Sequence, residues 1–188
     1  MRQVTVDTVI SAPREEIYDF VVDLSLRPAY SDHYLKDFRL ARANPVGKGA
    51  AARFLLDSPI FSERGEFSIT EADRPRRIVE EGRVGRLGRS RMAAVYDFIP
   101  QAGGTTRVEL TTYSEPKTVI DRFRHGRVHG WMRRQSKTAL ERLREIFEEP
   151  RTEELARVTV AGAEPGRAPR FGAHVGRAAP RKATVTDG

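Results

Sequence analysis

The chain contains no cysteine, which removes disulfide scaffolds, cysteine-ligated zinc and thiol chemistry from consideration. No stretch approaches the roughly 20 apolar residues needed to span a bilayer as a helix. The N-terminus, Met1-Arg2-Gln3-Val4-Thr5-Val6, enters an alternating pattern directly, without a charged segment and a following apolar run, so the expected compartment is the cytoplasm. There is no HExxH helix, and Ser58, Ser62 and Ser68 have no His/Asp pattern near them. A zincin site and a hydrolase triad are therefore unsupported.

What is present is charge. The chain has 188 residues, 33 Lys+Arg against 26 Asp+Glu and a formal net charge of +7. Residues 1–149 hold 26 basic and 22 acidic side chains, and residues 150–188 hold 7 and 4. The first part is basic by 4, with its acids interspersed. That is the composition of a solvated surface, weaker than the clustered stripe of a nucleic-acid binder, so no specific nucleic acid is expected. Hydrophobic residues make up 39%, enough for one core of about 150 residues but not for two.

Composition shifts at Pro150. Residues 150–188 contain eight Ala, five Gly, four Pro and one aromatic, Phe171. Such a segment buries too little apolar surface to offset its ordering entropy. The expectation is a folded domain over 1–149 and a disordered basic tail over 150–188, with at most a helical turn at Thr152 to Val158. Two macromolecular expectations remain: a weak contact between this tail and an anionic membrane surface, and, as an alternative function, an RNA- or protein-interaction role for the tail and the arginine-rich last helix, which would show as steep salt dependence.

Within residues 1–149, Val4, Val6, Thr8 and Ile10 alternate with polar neighbours and predict a strand. Ser11-Ala12-Pro13 then changes the period. Ser11 or Ala12 is the expected cap, and Ile17, Phe20, Val21 and Leu24 recur at helical spacing. A second short helical stretch lies around Pro28. Strands are predicted over 35–43, 51–57, 62–71, 77–84, 91–100 and 105–114, with turn residues between them. With no helices intervening, they should form an antiparallel meander. The last element is a helix over 117–149, with Met132, Ala139, Leu140, Leu143, Ile146 and Phe147 on one face. Ile120, Phe123 and Trp131 form a second stripe, with Gly126 and Gly130 between as a place for a bend.

This order of elements, with the stretches Ile10-Ser11-Ala12-Pro13-Arg14-Glu15-Glu16-Ile17-Tyr18, Val46-Gly47-Lys48-Gly49, Arg74-Pro75-Arg76-Arg77-Ile78 and Gly103-Gly104-Thr105-Thr106-Arg107-Val108, resembles the START-like superfamily. This is the helix-grip fold of polyketide cyclase/dehydrase-like proteins and the Bet v 1 allergens. The resemblance covers residues 3–148. It implies an α+β domain in which a curved seven-stranded antiparallel sheet wraps around a long C-terminal helix, with two short helices after strand 1. It further implies a cavity for a hydrophobic or amphiphilic small molecule such as a lipid, quinone, isoprenoid or polyketide. One scaffold serves carriers, sensors and enzymes, so the chemistry is not fixed by it.

Candidate ligand contacts follow from strand parity. Ala94, Tyr96 and Phe98 share one face, as do Val108, Leu110, Thr112 and Ser114, a mixture able to line a pocket or to close an ordinary core. Tyr30, His33, Tyr34 and Phe38 cluster around the second short helix, where they gate a pocket mouth or staple the helices to the sheet. Phe123 and Trp131 complete the expected contacts from the long helix. If the protein is an enzyme of the cyclase/dehydratase type, Tyr96, Tyr113, His125 and His129 are the acid–base candidates. His125 and His129 share a helix face, but no closing carboxylate is evident, so no metal and no cofactor are expected. The arginine-rich segment 82–91 reads as a hairpin loop. Arg53 and Glu66 have apolar neighbours on strands; solvent exposure is expected for both, and a buried ion pair or ligand anchor follows if either faces inward.

Overall fold

The structure is a computed structural model that describes residues 2–58, 62–85, 90–115, 119–150 and 154–163, without the side chains of 2, 119–128 and 163. Strand β1 (Arg2–Ile10) is followed by helix α1 (Arg14–Val22), a 3-10 turn at Leu24–Leu26 and the one-turn helix α2 (Pro28–Ser31). Then come β2 (Leu35–Leu40), β3 (Ala51–Asp57), β4 (Ser62–Asp73), β5 (Arg77–Val84), β6 (Ser90–Pro100) and β7 (Thr106–Glu115), and after them α3 (Val119–Glu148). The seven strands form one antiparallel sheet in the order β1-β7-β6-β5-β4-β3-β2. β2 to β7 are the expected meander; β1 closes onto β7 from Arg2↔Ser114 to Ile10↔Thr106.

Alternation places the core. Val4, Val6 and Ile10 of β1, Ile78 of β5, Ala94, Tyr96 and Phe98 of β6, and Val108 and Leu110 of β7 are buried, while their strand neighbours are more exposed. A register shift between Ile69 and Glu71 adds a residue to β4, the kind of bulge that bends a sheet. At Gly82 a Cβ would lie 2.3 Å from the Glu66 carbonyl oxygen and 2.7 Å from Phe67 Cβ. Only glycine lets β4 and β5 approach there with the Phe67 ring on the inner face.

α3 packs on this inner side with Trp131, Ser136, Ala139, Leu140 and Leu143 buried, and with Met132, Ile146 and Phe147 against the core. It runs as one helix through Gly126 and Gly130. Several of its outer charges are paired: Lys137 with Glu141 and Arg144 with Glu148, each at 3.6 Å, and Arg142 with Asp32 at 2.5 Å.

Two expectations need correction. The residue that caps α1 is Pro13, with no side-chain cap, and not Ser11 or Ala12; the Pro13 carbonyl accepts from Glu16 and Ile17 instead. The segment assigned to a disordered tail contains structure: β8 (Val158–Thr159) and β9 (Gly162–Ala163) pair as a hairpin packed on β2 and the 3-10 turn. Val158 is 7% exposed and belongs to the core. Residues 154–157 are not helical; 151–153 and 164–188 lie outside the described residues, as do 86–89 of the arginine-rich loop, although β5 and β6 pair up to Val84↔Ser90.

Candidate functional site

The site grows from a turn. The Asp23 carboxylate accepts from the Ser25 backbone N–H at 2.9 Å and from its hydroxyl at 2.6 Å, the side-chain bond that starts the 3-10 turn. The Arg27 N–H donates to the Leu24 carbonyl, and Pro28 at the first position of α2 fixes the next step of the chain. Ser31 Oγ returns a bond to the Arg27 carbonyl at 2.8 Å. Held between two helical turns, the Arg27 side chain points into the domain and is 2% exposed.

There it meets the sheet. Glu80 occupies an inward position of β5 between Ile78 and Gly82 and is 5% exposed. Tyr96 lies on neighbouring β6, opposite Ile78. Arg27 Nη2 donates to Glu80 Oε1, and Nη1 donates to the Tyr96 hydroxyl oxygen at 2.5 Å. The guanidinium carbon sits 5.2 to 5.6 Å from the ring centres of Tyr96, Tyr30 and Phe67, a cationic group caged by aromatic faces.

Burial opposes the Arg27 charge, but the Glu80 carboxylate together with Tyr30, Tyr96 and Tyr34 outweighs it and holds the guanidinium well above its ordinary value. Burial pushes the Glu80 carboxyl up, and Arg27 pulls it back. The pair is internally neutral, and each member is costly without the other. Burial also lifts the phenols of Tyr30, Tyr34 and Tyr96 above the ordinary range, so they keep their protons at neutral pH.

Hydrogen-bonding capacity is left over. Arg27 Nε is buried with no hydrogen-bond partner among the described residues, and the Tyr30 hydroxyl, which lies beside that of Tyr96, makes no well-formed hydrogen bond among them. A native interior satisfies nearly all such groups, so two under-satisfied donors in one cluster call for an acceptor. The arrangement offers an N–H and a phenol proton to an oxygen. Because Arg27 and Glu80 cancel, it suits an uncharged oxygen better than a carboxylate, which would be a second, uncompensated anion.

Of the expected contacts, Tyr30, Tyr34, Phe38, Ala94, Tyr96, Phe98, Leu110 and Trp131 are all buried in the one core, and Thr112 lies on their face of β7, half-buried. Tyr34 packs edge-on against Trp131 with centroids 6.3 Å apart. Tyr30 and Tyr34 thus staple α2 to the interior, which is the packing alternative to a gate. Tyr113 has the opposite parity to Leu110 and Thr112 and pairs beside Gln3 and Ala93. It sits on the outer face of the sheet, away from the acid–base role considered for it. His129 is half-buried; the side chains of Phe123 and His125 lie outside the described residues.

Arg53 and Glu66 pair at 3.1 Å in the open, with side chains 69% and 60% exposed. They line a charged groove of about 760 Å³ on the outer face, with Arg42, Ser68, Thr70, Glu81 and Arg83, remote in parity from the buried cluster. The buried ion pair is made instead by Arg27 and Glu80. Glu80 was legible in principle, because it breaks an inward apolar parity; no local pattern marks Arg27.

With this geometry in place, a family model described as polyketide cyclase / dehydrase and lipid transport matches residues 1–148. Comparison with curated proteins finds no match. Among solved structures the chain is similar to TTHA0849 from Thermus thermophilus, at 21% identity and a TM-score of 0.61, covering 77% of this chain and 95% of that one. It is also similar to a truncated norcoclaurine synthase from Thalictrum flavum, at 10% identity and 0.63, covering 80% and 95%. A third likeness is to Ara h 8.0201, at 11% identity and 0.57, covering 79% and 99%. At these identities the likeness is one of fold, the Bet v 1-like arrangement of sheet and long helix.

Proposed function

The chain belongs to the polyketide cyclase / dehydrase and lipid transport family, and from that premise we propose that it binds a hydrophobic small molecule carrying an uncharged oxygen. The apolar body lies among the core aromatics, and the oxygen is received by Arg27 Nε and the Tyr30 hydroxyl. The observation that carries this reading is that the buried Arg27 Nε lacks a partner among the described residues and that the Tyr30 hydroxyl, beside Tyr96, lacks a well-formed one. Affinity comes chiefly from apolar burial, and the donors select which oxygen is accepted.

Binding is preferred to acid–base catalysis for a physical reason. A phenol held above its ordinary value donates a hydrogen bond well but releases its proton poorly, and the Glu80 carboxylate is occupied by Arg27. The paired charges on α3 likewise favour a solvated face over an RNA or membrane contact.

Three probes of one shape test the reading: 2-acetylnaphthalene, 2-isopropylnaphthalene and 2-naphthoate, titrated calorimetrically. The ketone should bind most tightly. Tyr30→Phe should weaken ketone binding by about five- to tenfold, the worth of one neutral hydrogen bond, and leave the hydrocarbon unchanged. Equal binding of ketone and hydrocarbon, or binding of none of the three, would contradict it.

A further inference from the structure

We propose that Arg157, nine residues beyond the end of the family match at residue 148, is a positioning residue that sets the aim of Arg27 by clamping the turn before it. This rests on the reading of the Arg27 cluster as the binding site.

Arg157 Nη1 donates to Asp23 Oδ2 at 2.5 Å and to Ser25 Oγ at 3.0 Å. Asp23 Oδ1 at the same time accepts from Ser25 N and Oγ. Both oxygens of Asp23 and the Ser25 hydroxyl are thus tied into one closed unit by a single nitrogen of Arg157. Asp23 and Ser25 are themselves buried, so the carboxylate depends on that cation for compensation. Two residues further on is Arg27, whose N–H is bonded within the same turn to Leu24.

Arg157 is in turn held from behind. Val158 is buried in the core, Thr159 pairs with Gly162, and Gly162 takes a φ of +108 over the Arg39 side chain of β2. The hairpin therefore fixes where Arg157 stands, and Arg157 fixes the turn. Without it, Asp23 keeps a buried charge offset only by its Ser25 hydrogen bonds, Oδ2 is left to water, and the turn opens toward solvent.

The test uses the full chain with Arg157→Gln, Arg157→Lys and Ser25→Ala. The first readout, independent of any ligand, is hydrogen exchange of the Arg27 Nε–H by NMR. The second is the affinity ratio of 2-acetylnaphthalene to 2-isopropylnaphthalene. In Arg157→Gln the exchange should quicken by about tenfold or more as the turn opens locally, and the ketone preference should fall by about threefold. Arg157→Lys should restore most of both, because one nitrogen makes both contacts. Ser25→Ala, which removes the shared hydroxyl, should act in the direction of Arg157→Gln.

Unchanged Arg27 exchange in Arg157→Gln overturns the proposal, as does an Arg157→Lys variant that behaves like the glutamine one. If the probes still bind the unaltered protein with their preference while exchange is unmoved, positioning fails and the binding reading stands. If exchange responds but no probe binds any variant, positioning stands and the binding reading fails.

Discussion

The residue that decides the interior is Arg27, because a guanidinium 2% exposed is stable only with its partners in place. Arg27→Met should destabilise by about 3–5 kcal/mol, since it strands the Glu80 carboxylate in the core. The double variant Arg27→Met/Glu80→Met should recover most of that loss and still lose the preference for a ketone. Chemical denaturation of the three proteins checks this, and a double variant no more stable than the single one would mean that Glu80 is solvated. The pair also marks where sequence reasoning stopped. Parity correctly placed Arg53 and Glu66 outside and Tyr96 inside, because alternation is a local property of a strand. Arg27 follows a turn whose direction depends on Asp23, Ser25 and a hairpin more than a hundred residues away. No local period encodes such a contact.

Among the elements, the C-terminal hairpin is where composition misled. A segment rich in Ala, Gly and Pro cannot fold by itself, but four residues of it suffice as a strap when Val158 finds a place in an existing core. A chain ending at Pro150 should therefore lose about 2–3 kcal/mol from the apolar burial of Val158 and the Arg157 contacts. At this size that lowers the midpoint of thermal unfolding by several degrees. An unchanged midpoint would return the whole of 150–188 to the role of a tail. The contact between α2 and α3 responds to acid instead. Nε2 of the His33 ring is 3.1 Å from the Gln135 carbonyl oxygen, and burial holds the imidazole below the ordinary 6.5. A folded-state value below the unfolded one gives stability that is present above pH 6.5 and lost as the pH falls through the folded value. His33→Asn should flatten that acid limb, and an acid limb of the same slope in the variant would place its origin elsewhere.

At the scale of the whole molecule, the fold was readable because its signals repeat: seven alternating strands, a change of period after Ile10 and a long terminal helix. The interior was not readable, because its chemistry is set by which polar groups the closed sheet leaves dry. Alkaline titration measures that dryness directly. Burial raises Tyr30, Tyr34 and Tyr96 above the ordinary phenol value of 10.0. In the unfolded chain they ionise near 10.0, and in the folded chain they do not. Their contribution to stability is therefore complete below pH 10 and falls as the pH rises beyond it, by up to about 1.4 kcal/mol per pH unit for each phenol. Three of them together lose about 4 kcal/mol per unit, which exhausts an ordinary folding free energy within two to three units. Phenolate absorbance and loss of ellipticity should thus rise together in one steep transition above pH 11. If these tyrosines titrated gradually with the sheet intact, the interior would be hydrated and the two donors already satisfied by water. In the dry case a bound ketone adds stability by mass action. 2-Acetylnaphthalene should then move the transition to higher pH in the unaltered protein, and by a smaller step in Tyr30→Phe.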